Sequence, residues 1–264
     1  MSIEHLHSIR SAELERIIPI LTDLREKMAG RNPAILELGS GTGWQAKQLS
    51  ERGFDVEAID IESSKYAADQ LWPITNYDGE NIPFPDKHFD VLLSSNVLEH
   101  IPHLETFHSE MQRVLKPNGI AIHIVPSGTW RIWTNIAHYP FVLKTAIQKL
   151  SAEVTQKRVA QNDGVERKNV KSASTLKEML RSAVFPSRHG ETGNAISEIY
   201  HFSRINWSNL LKRNGWMIKR VSGNRLFYTG YMVFGTMLPC NTRTLVSQLL
   251  GSSCHIFVLQ LDSD

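Results

Sequence analysis

Three carboxylates and three glycines in the first third of the chain have the spacing of a ligand site. Glu37 lies near the end of the apolar run Ala34-Ile35-Leu36-Glu37-Leu38, where a carboxylate needs a polar partner ahead of it. Gly39, Gly41 and Gly43 follow at alternate positions, so the backbone can turn sharply and approach a ligand where a Cβ would collide. Asp60 closes a second apolar stretch, Asp55 to Ile59. It stands about 20 positions beyond the first glycine, suited to hydrogen bonds with two ribose hydroxyls. Asp78 follows in Asn76-Tyr77-Asp78-Gly79. The set describes a pocket for a nucleotide-like cofactor.

The elements that must position these residues are those of an α/β sheet. Pro33 marks a boundary, and Ala34 to Leu38 is the near-continuous apolar run of a parallel strand buried on both faces. A helical pattern follows the glycines, with Ala46, Leu49 and Phe54 available to pack, which lays the ligand over that helix's N-terminus. Asp55 to Ile59 is the second strand; Asp60 could equally cap a helix after Ile61. Val91 to Ser95 is another strand, followed by the helix-like Asn96 to Ile101. A helix through Met111 to Leu115 is stopped by Pro117-Asn118-Gly119, and Ile120 to Val125 is the next strand.

Residues 34–126, with all these motifs in order, resemble the class I S-adenosylmethionine-dependent methyltransferases, and within them the type 11 group. The resemblance implies a Rossmann-like sheet of seven mostly parallel strands flanked by helices, the last strand antiparallel between the fifth and sixth, with a helical insertion after strand five. It also implies S-adenosyl-L-methionine as cofactor. Glu37, Gly39, Gly41 and Gly43 would face its methionine and ribose portions. Asp60 would bind the ribose, Ile61 would lie beside the adenine, and Asp78 would contact the adenine amino group. Ser95, Asn96 and Val97 would line the methionine pocket. A cationic sulfonium suits carboxylates and carbonyl oxygens. Two alternatives stand beside this reading. Gly41-Thr42-Gly43-Trp44-Gln45-Ala46 satisfies the dinucleotide pattern Gly-x-Gly-x-x-Ala, although Glu37 and Asp78 carry the wrong sign for a pyrophosphate. A methyltransferase-like domain that only binds a partner is the other.

Substrate choice is expected downstream of Val125. Residues 129–200 are too long for a loop between sheet elements and form an insertion with helix of its own. Its first part, Trp130 to Phe141, is rich in aromatic and aliphatic side chains, with Trp130 and Tyr139 as acceptor-binding candidates. The segment could pack onto the core, cover an apolar acceptor or dock at a membrane interface. Its basic middle, with Lys144, Lys149, Lys157, Arg158, Arg167, Lys168 and Lys171, extends the membrane-surface reading over 130–171, and it also suits a solvated face. A polar cluster closes the insertion: Arg188-His189-Gly190-Glu191-Thr192-Gly193-Asn194, then Glu198. A hydroxyl acceptor benefits from a base near neutral pH, which nominates His189 with Glu191 and Glu198 as substrate contacts. His100 competes for the role. Some relatives bind a divalent metal through Glu-x-x-Glu-His here, but Asn96 stands at the first position, so no metal is expected. His123 alternates within a strand and reads as a core histidine.

Composition agrees with one elaborated domain. The chain has 264 residues and a formal net charge of +2, which requires neither nucleic acid nor an acidic surface as partner. The divisions expected are an N-terminal helical segment (1–32), a cofactor core (33–126), a substrate-side insertion (127–202) and the last two strands (203–264). Met1 to Ala29 spaces Leu14, Ile17, Ile18, Leu21 and Leu24 as an amphipathic helix covering one edge of the pocket, not as a targeting peptide. Two cysteines, Cys240 and Cys254, read as reduced thiols, giving a cytoplasmic expectation with peripheral membrane contact. The acceptor expected is a small molecule or a lipid- or sugar-linked one, methylated on oxygen or nitrogen in preference to carbon.

Overall fold

A computed structural model describes residues 3–163, 186–230 and 232–262. Alternation along each strand sorts its residues onto two faces. In β1 (Ala34–Leu38) Leu36 and Leu38 face one core, Ile35 the other. In β4 (Phe89–Ser95) Leu92 joins the first core, while Val91 and Leu93 join the second. The first core is closed by α3 (Leu104–Val114) through Phe107 and Met111, and by α6 (Arg204–Arg213) through Trp207 and Leu211. The second is closed by α1 (Ile3–Lys27) through Leu14, Ile17 and Leu21, and by α2 (Trp44–Glu51) through Ala46 and Leu49. Glu37 shares the parity of Ile35, so its carboxylate points towards the start of α2.

The remaining strands are β2 (Asp55–Ile61), β3 (Thr75–Tyr77), β5 (Leu115–Pro126), β6 (Trp216–Gly223) and β7 (Cys254–Leu261). The order is β3-β2-β1-β4-β5-β7-β6, with β7 antiparallel to both β5 and β6 and the other pairs parallel. This is the seven-stranded, Rossmann-like sheet expected, with helices on both faces.

Three local expectations differ. No helix follows Ile61; a single 3-10 turn, Ala67–Asp69, forms instead. The Ser64 hydroxyl binds the Asp60 carboxylate and the Tyr66 amide, holding the chain in turns that compete with a helix. Asp60 therefore caps no helix. Asn96 to Ile101 holds only the 3-10 turn Leu98–His100, because Asn96 is left-handed (φ 55°) and Pro102 disfavours helical geometry at Ile101. Pro117-Asn118-Gly119 does not precede β5 but bulges out of it, between the pairs Phe89–Leu115 and Val91–Ile120.

After β5 comes the long helix α4 (Gly128–Asp163), then, beyond the segment outside the description, α5 (Ser197–His201). The side chains of Lys149, Lys157 and Arg158, and the whole of Arg167, Lys168 and Lys171, lie outside the described residues. The Ser203 hydroxyl accepts from the Asn206 amide to cap α6, and Gly215, at φ 75°, lets the chain turn into β6. The helix α7 (Cys240–Leu250) leads into β7. Among the described residues no helix is long and apolar enough to cross a membrane.

Candidate functional site

Parallel strands bring their C-terminal ends to one edge, and ligands bind where the strand order turns. Here that point is β1, between β2 and β4. A cavity of about 1230 Å³ opens there, lined by Glu37, Gly39, Gly41, Asp60, Ile61, Asp78, Ser95 and Asn96 among others. Gly39, Gly41 and Gly43 all adopt left-handed φ (64°, 59° and 71°). A Cβ on Gly39 would meet Val97 at 2.6 Å, and one on Gly43 would meet Trp72 at 2.6 Å. Any side chain there would be strained and would clash. Gly43 itself serves as the N-terminal cap position of α2 and does not line the cavity.

Asp60 organises the loop. Its carboxylate accepts from the Gly41 amide at 2.7 Å, the Ile61 amide at 2.8 Å and the Ser64 hydroxyl at 3.1 Å. Asp78 accepts from the amides of Glu80 and Asn81 and from the Asn81 side chain, which hold its carboxyl below the usual carboxylate range. Glu37 is buried and accepts from the Ala46 amide at 2.8 Å. Burial pushes its pKa up to about 8, against the lowering effects of the Ala46 amide and Arg10. The α2 N-terminus is thereby occupied by a carboxyl group, where a pyrophosphate would need free amides. A cationic ligand, by contrast, would favour ionised Glu37. The donor set fits a sulfonium cofactor and not a dinucleotide.

The sequence lays α1 over one edge of the pocket but does not single out the residues it contributes. Leu6, Ile9, Arg10 and Glu13 line the cavity. Glu13 is fully buried and accepts from Arg10 at 2.8 Å, Ser95 at 3.2 Å and Asn224 at 2.9 Å, and Arg10 also donates to Ser95 at 2.6 Å. One carboxylate thus joins α1, the end of β4 and the end of β6. The signal was present: Glu13 falls between Ile9 and Ile17 on the apolar stripe of an amphipathic helix. Asn96 accepts from the Cys254 thiol at 3.5 Å, and burial raises that thiol's pKa well above normal.

The other end of the cavity is lined by His100, Trp130, His189 and Tyr228 among others. The Trp130 and His189 rings are 4.6 Å apart, and the His100 and His189 rings 4.8 Å. Glu99, fully buried behind them, has a carboxylate oxygen 3.8 Å from Nε2 of each histidine. Burial lowers the His100 pKa, opposed by Glu99. His123 accepts or donates at 2.8 Å with the Ser94 hydroxyl, and burial lowers its pKa to about 3, as a core histidine requires.

Three acceptor-side expectations are corrected. Glu198 is fully buried away from the cavity; it pairs with Arg131 at 2.9 Å and accepts from the amides of His189 and Gly190 at 2.7 and 2.8 Å. It shapes the loop from outside the cavity lining. Tyr139 is 55% exposed on the outer side of α4, outside the cavity lining. Its phase is four and three turnward positions from the exposed Leu143 and Ile136, not from buried Arg131 and His138. Glu191 also lies outside the lining, near Arg188 at 4.0 Å, with its amide donating to the Glu99 carbonyl.

Fold and site define a Rossmann-like domain built to hold a cationic nucleoside cofactor. Residues 36–123 match the family model described as "Methyltransferase domain". The chain thus carries, over about a third of its length, a segment similar to that domain. It is 33% identical over 129 residues to the biotin biosynthesis bifunctional protein BioHC of Cellvibrio japonicus, covering 44% of this chain and 26% of that protein. To the ubiquinone/menaquinone biosynthesis C-methyltransferase UbiE of Cupriavidus necator it is 32% identical over 116 residues, 39% of this chain and 48% of that one. The chain thus spans less than half the length of these curated relatives. Among solved structures, a putative S-adenosylmethionine-dependent methyltransferase of Listeria monocytogenes shares the fold with a TM-score of 0.50 at 15% identity, covering 97% of this chain and 99% of that one.

Proposed function

We propose that this protein transfers the methyl group of S-adenosyl-L-methionine to oxygen or nitrogen of a small-molecule, sugar-linked or lipid-linked acceptor. The observation that carries the reading is one continuous cavity of about 1230 Å³ joining the glycine loop to the paired histidines. That exceeds the roughly 300–1,000 Å³ typical of a site for one drug-sized ligand, so cofactor and acceptor both fit. The cofactor supplies an electrophilic methyl on a cationic sulfur. Glu37, Asp60, Ile61, Asp78, Ser95 and Asn96, with Gly39 and Gly41, hold it, while Gly43 only shapes the turn into α2; Trp130 packs against the acceptor. His189 or His100 receives the acceptor's proton as its lone pair bonds to the methyl carbon and the carbon–sulfur pair remains on sulfur. The UbiE relative's name keeps carbon methylation within reach of the fold; the two imidazoles on the cavity wall favour a protonated heteroatom.

Calorimetric titration with S-adenosylhomocysteine and with NAD tests the cofactor assignment. The former should bind at micromolar levels and the latter should not. Asp60→Ala removes three hydrogen bonds from the loop and should abolish binding; retained affinity would sink the assignment. Methyl-labelled cofactor incubated with cell extract then separates an enzyme from a binding-only domain.

A peripheral membrane contact is also part of the proposal. Ile132, Ile136, Tyr139, Leu143 and Ile147 are all exposed and follow helical spacing along α4, beside the exposed Lys144. Such a stripe would bring a lipid-linked acceptor to the protein.

A further inference from the structure

A fully buried carboxylate without hydrogen-bond donors costs free energy that native structures almost always offset with a partner. Both oxygens of Glu99 are in that position: neither has a hydrogen-bond partner, while Nε2 of His100 and Nε2 of His189 each lie 3.8 Å from Oε1. The three ligating atoms lie within 4.8 Å of one another. We infer that Glu99, His100 and His189 form a binding site for a first-row divalent metal ion on the acceptor side of the cavity.

The site is built and not accidental. The His189 amide is fixed by Glu198, the Gly190 amide by the same carboxylate, and the Glu191 amide donates to the Glu99 carbonyl at 3.0 Å. Space at Gly190 is equally tight, since a Cβ there would come within 3.0 Å of that carbonyl. Trp130 packs on the His189 ring. The backbone thus holds His189 against the Leu98–His100 turn although the two are far apart in sequence. Asn96 takes no part, because its side chain accepts from Cys254.

Two imidazoles and one carboxylate suit zinc, iron or manganese better than magnesium or calcium, which prefer all-oxygen sets. Bonds of about 2.0–2.1 Å bring tetrahedral donors to roughly 3.4 Å apart. Small rotations of His100 and His189, 44% and 35% exposed at their side chains, would close the present distances around the fixed Glu99. Three protein ligands leave open positions, and both histidines line the cavity, so those positions face the acceptor. On the methyl-transfer reading, on which this last role alone rests, both imidazoles in the metal-loaded protein serve as ligands in place of a base, and an acceptor hydroxyl bound there gives its proton to water more readily. Its oxygen then bonds to the methyl carbon as the carbon–sulfur bond breaks, the pair staying on sulfur.

Calorimetry of the chelator-treated full chain with zinc sulfate, and visible absorption with cobalt chloride, test the site. One equivalent of zinc should bind, and cobalt should give ligand-field bands. Glu99→Gln and His189→Ala should each weaken zinc by at least about 100-fold, since loss of even an outer-shell partner costs 10–100-fold. S-adenosylhomocysteine affinity should persist in both. Should Glu99→Gln fail to fold, His189→Ala on the cavity wall decides alone. No zinc binding, or binding that both variants leave intact, overturns the inference; the latter would place the ion on other histidines. Asp60→Ala should keep the zinc while losing the cofactor, so failure here and failure of the methyl-transfer reading are distinguishable.

Discussion

Glu37 shows how one residue can trade stability for binding. Its carboxyl group is buried, with an apparent pKa of about 8 against an ordinary 4.5. The native state therefore holds a proton that the unfolded chain releases, and stability is greatest below the unfolded value. It should fall as pH rises from about 4.5 to about 8 and level off beyond. Urea unfolding of the unliganded protein across that range should show this slope, and Glu37→Gln, which can still accept from the Ala46 amide, should flatten it. A cationic cofactor favours the ionised form, so binding near pH 7 should release a proton. The calorimetric enthalpy should then vary with buffer ionisation for the parent and not for Glu37→Gln; equal behaviour of the two would remove Glu37 from the cofactor site. Glu37 was legible in the sequence because it interrupts an apolar run ahead of three glycines. Glu99 and His100 were legible only as an incomplete metal motif, because the group that joins them, His189, lies far off in chain order.

At the level of elements, a buried ion pair helps to hold the segment from His189 to α5, beside the hydrogen bonds from Asn135 to the Ala195 carbonyl and from the Glu191 amide to the Glu99 carbonyl. Glu198 and Arg131 are both nearly inaccessible, and burial lowers the arginine's pKa while the carboxylate opposes the effect. Removing one partner strands the other charge, a loss of about 3–5 kcal/mol in comparable buried pairs. Glu198→Gln should lower the unfolding midpoint in urea and lose acceptor methylation or zinc. It should leave S-adenosylhomocysteine affinity near the parent value, because the glycine loop rests on β1, β2 and β4. A parallel loss of cofactor affinity would contradict that separation. A carboxylate in a polar loop reads alike whether it meets a substrate or an arginine in another helix, which is why Glu198 was taken for a ligand contact. Tyr139 misled for a related reason: an aromatic residue reads alike on either side of a helix, and only the continuous α4 fixes which side chains face outward. The helix expected after Ile61 failed because local hydroxyl bonds outweighed propensity.

For the whole molecule, the cavity faces one direction and the apolar stripe of α4 another, so membrane contact and cofactor binding should separate. The protein should float with anionic vesicles at low salt. Ile136→Glu with Leu143→Glu should abolish flotation without changing S-adenosylhomocysteine affinity, and persistent flotation would assign the contact elsewhere. The sheet was legible as a whole because each parallel strand is a short apolar run bounded by turn residues, and the motifs sit at strand ends in sequence order. That α1 and the insertion wall the cavity was legible too, but which of their side chains meet was not, since those contacts join segments that come together only in three dimensions.

The position of β7 bears on how the fold is made. β6 pairs with β7 alone, and β7 alone fills the gap beside β5. During synthesis the nucleotide-binding half can assemble as soon as β5 has emerged, but the backbone edge of β5 from Ala121 to Pro126 waits for its partner β7. A ribosome paused between β6 and β7 would present that edge unpaired, the kind of surface on which nascent chains aggregate or recruit chaperones. Completion of the domain is thus timed by its last strand, long after the methyl donor's pocket has its framework.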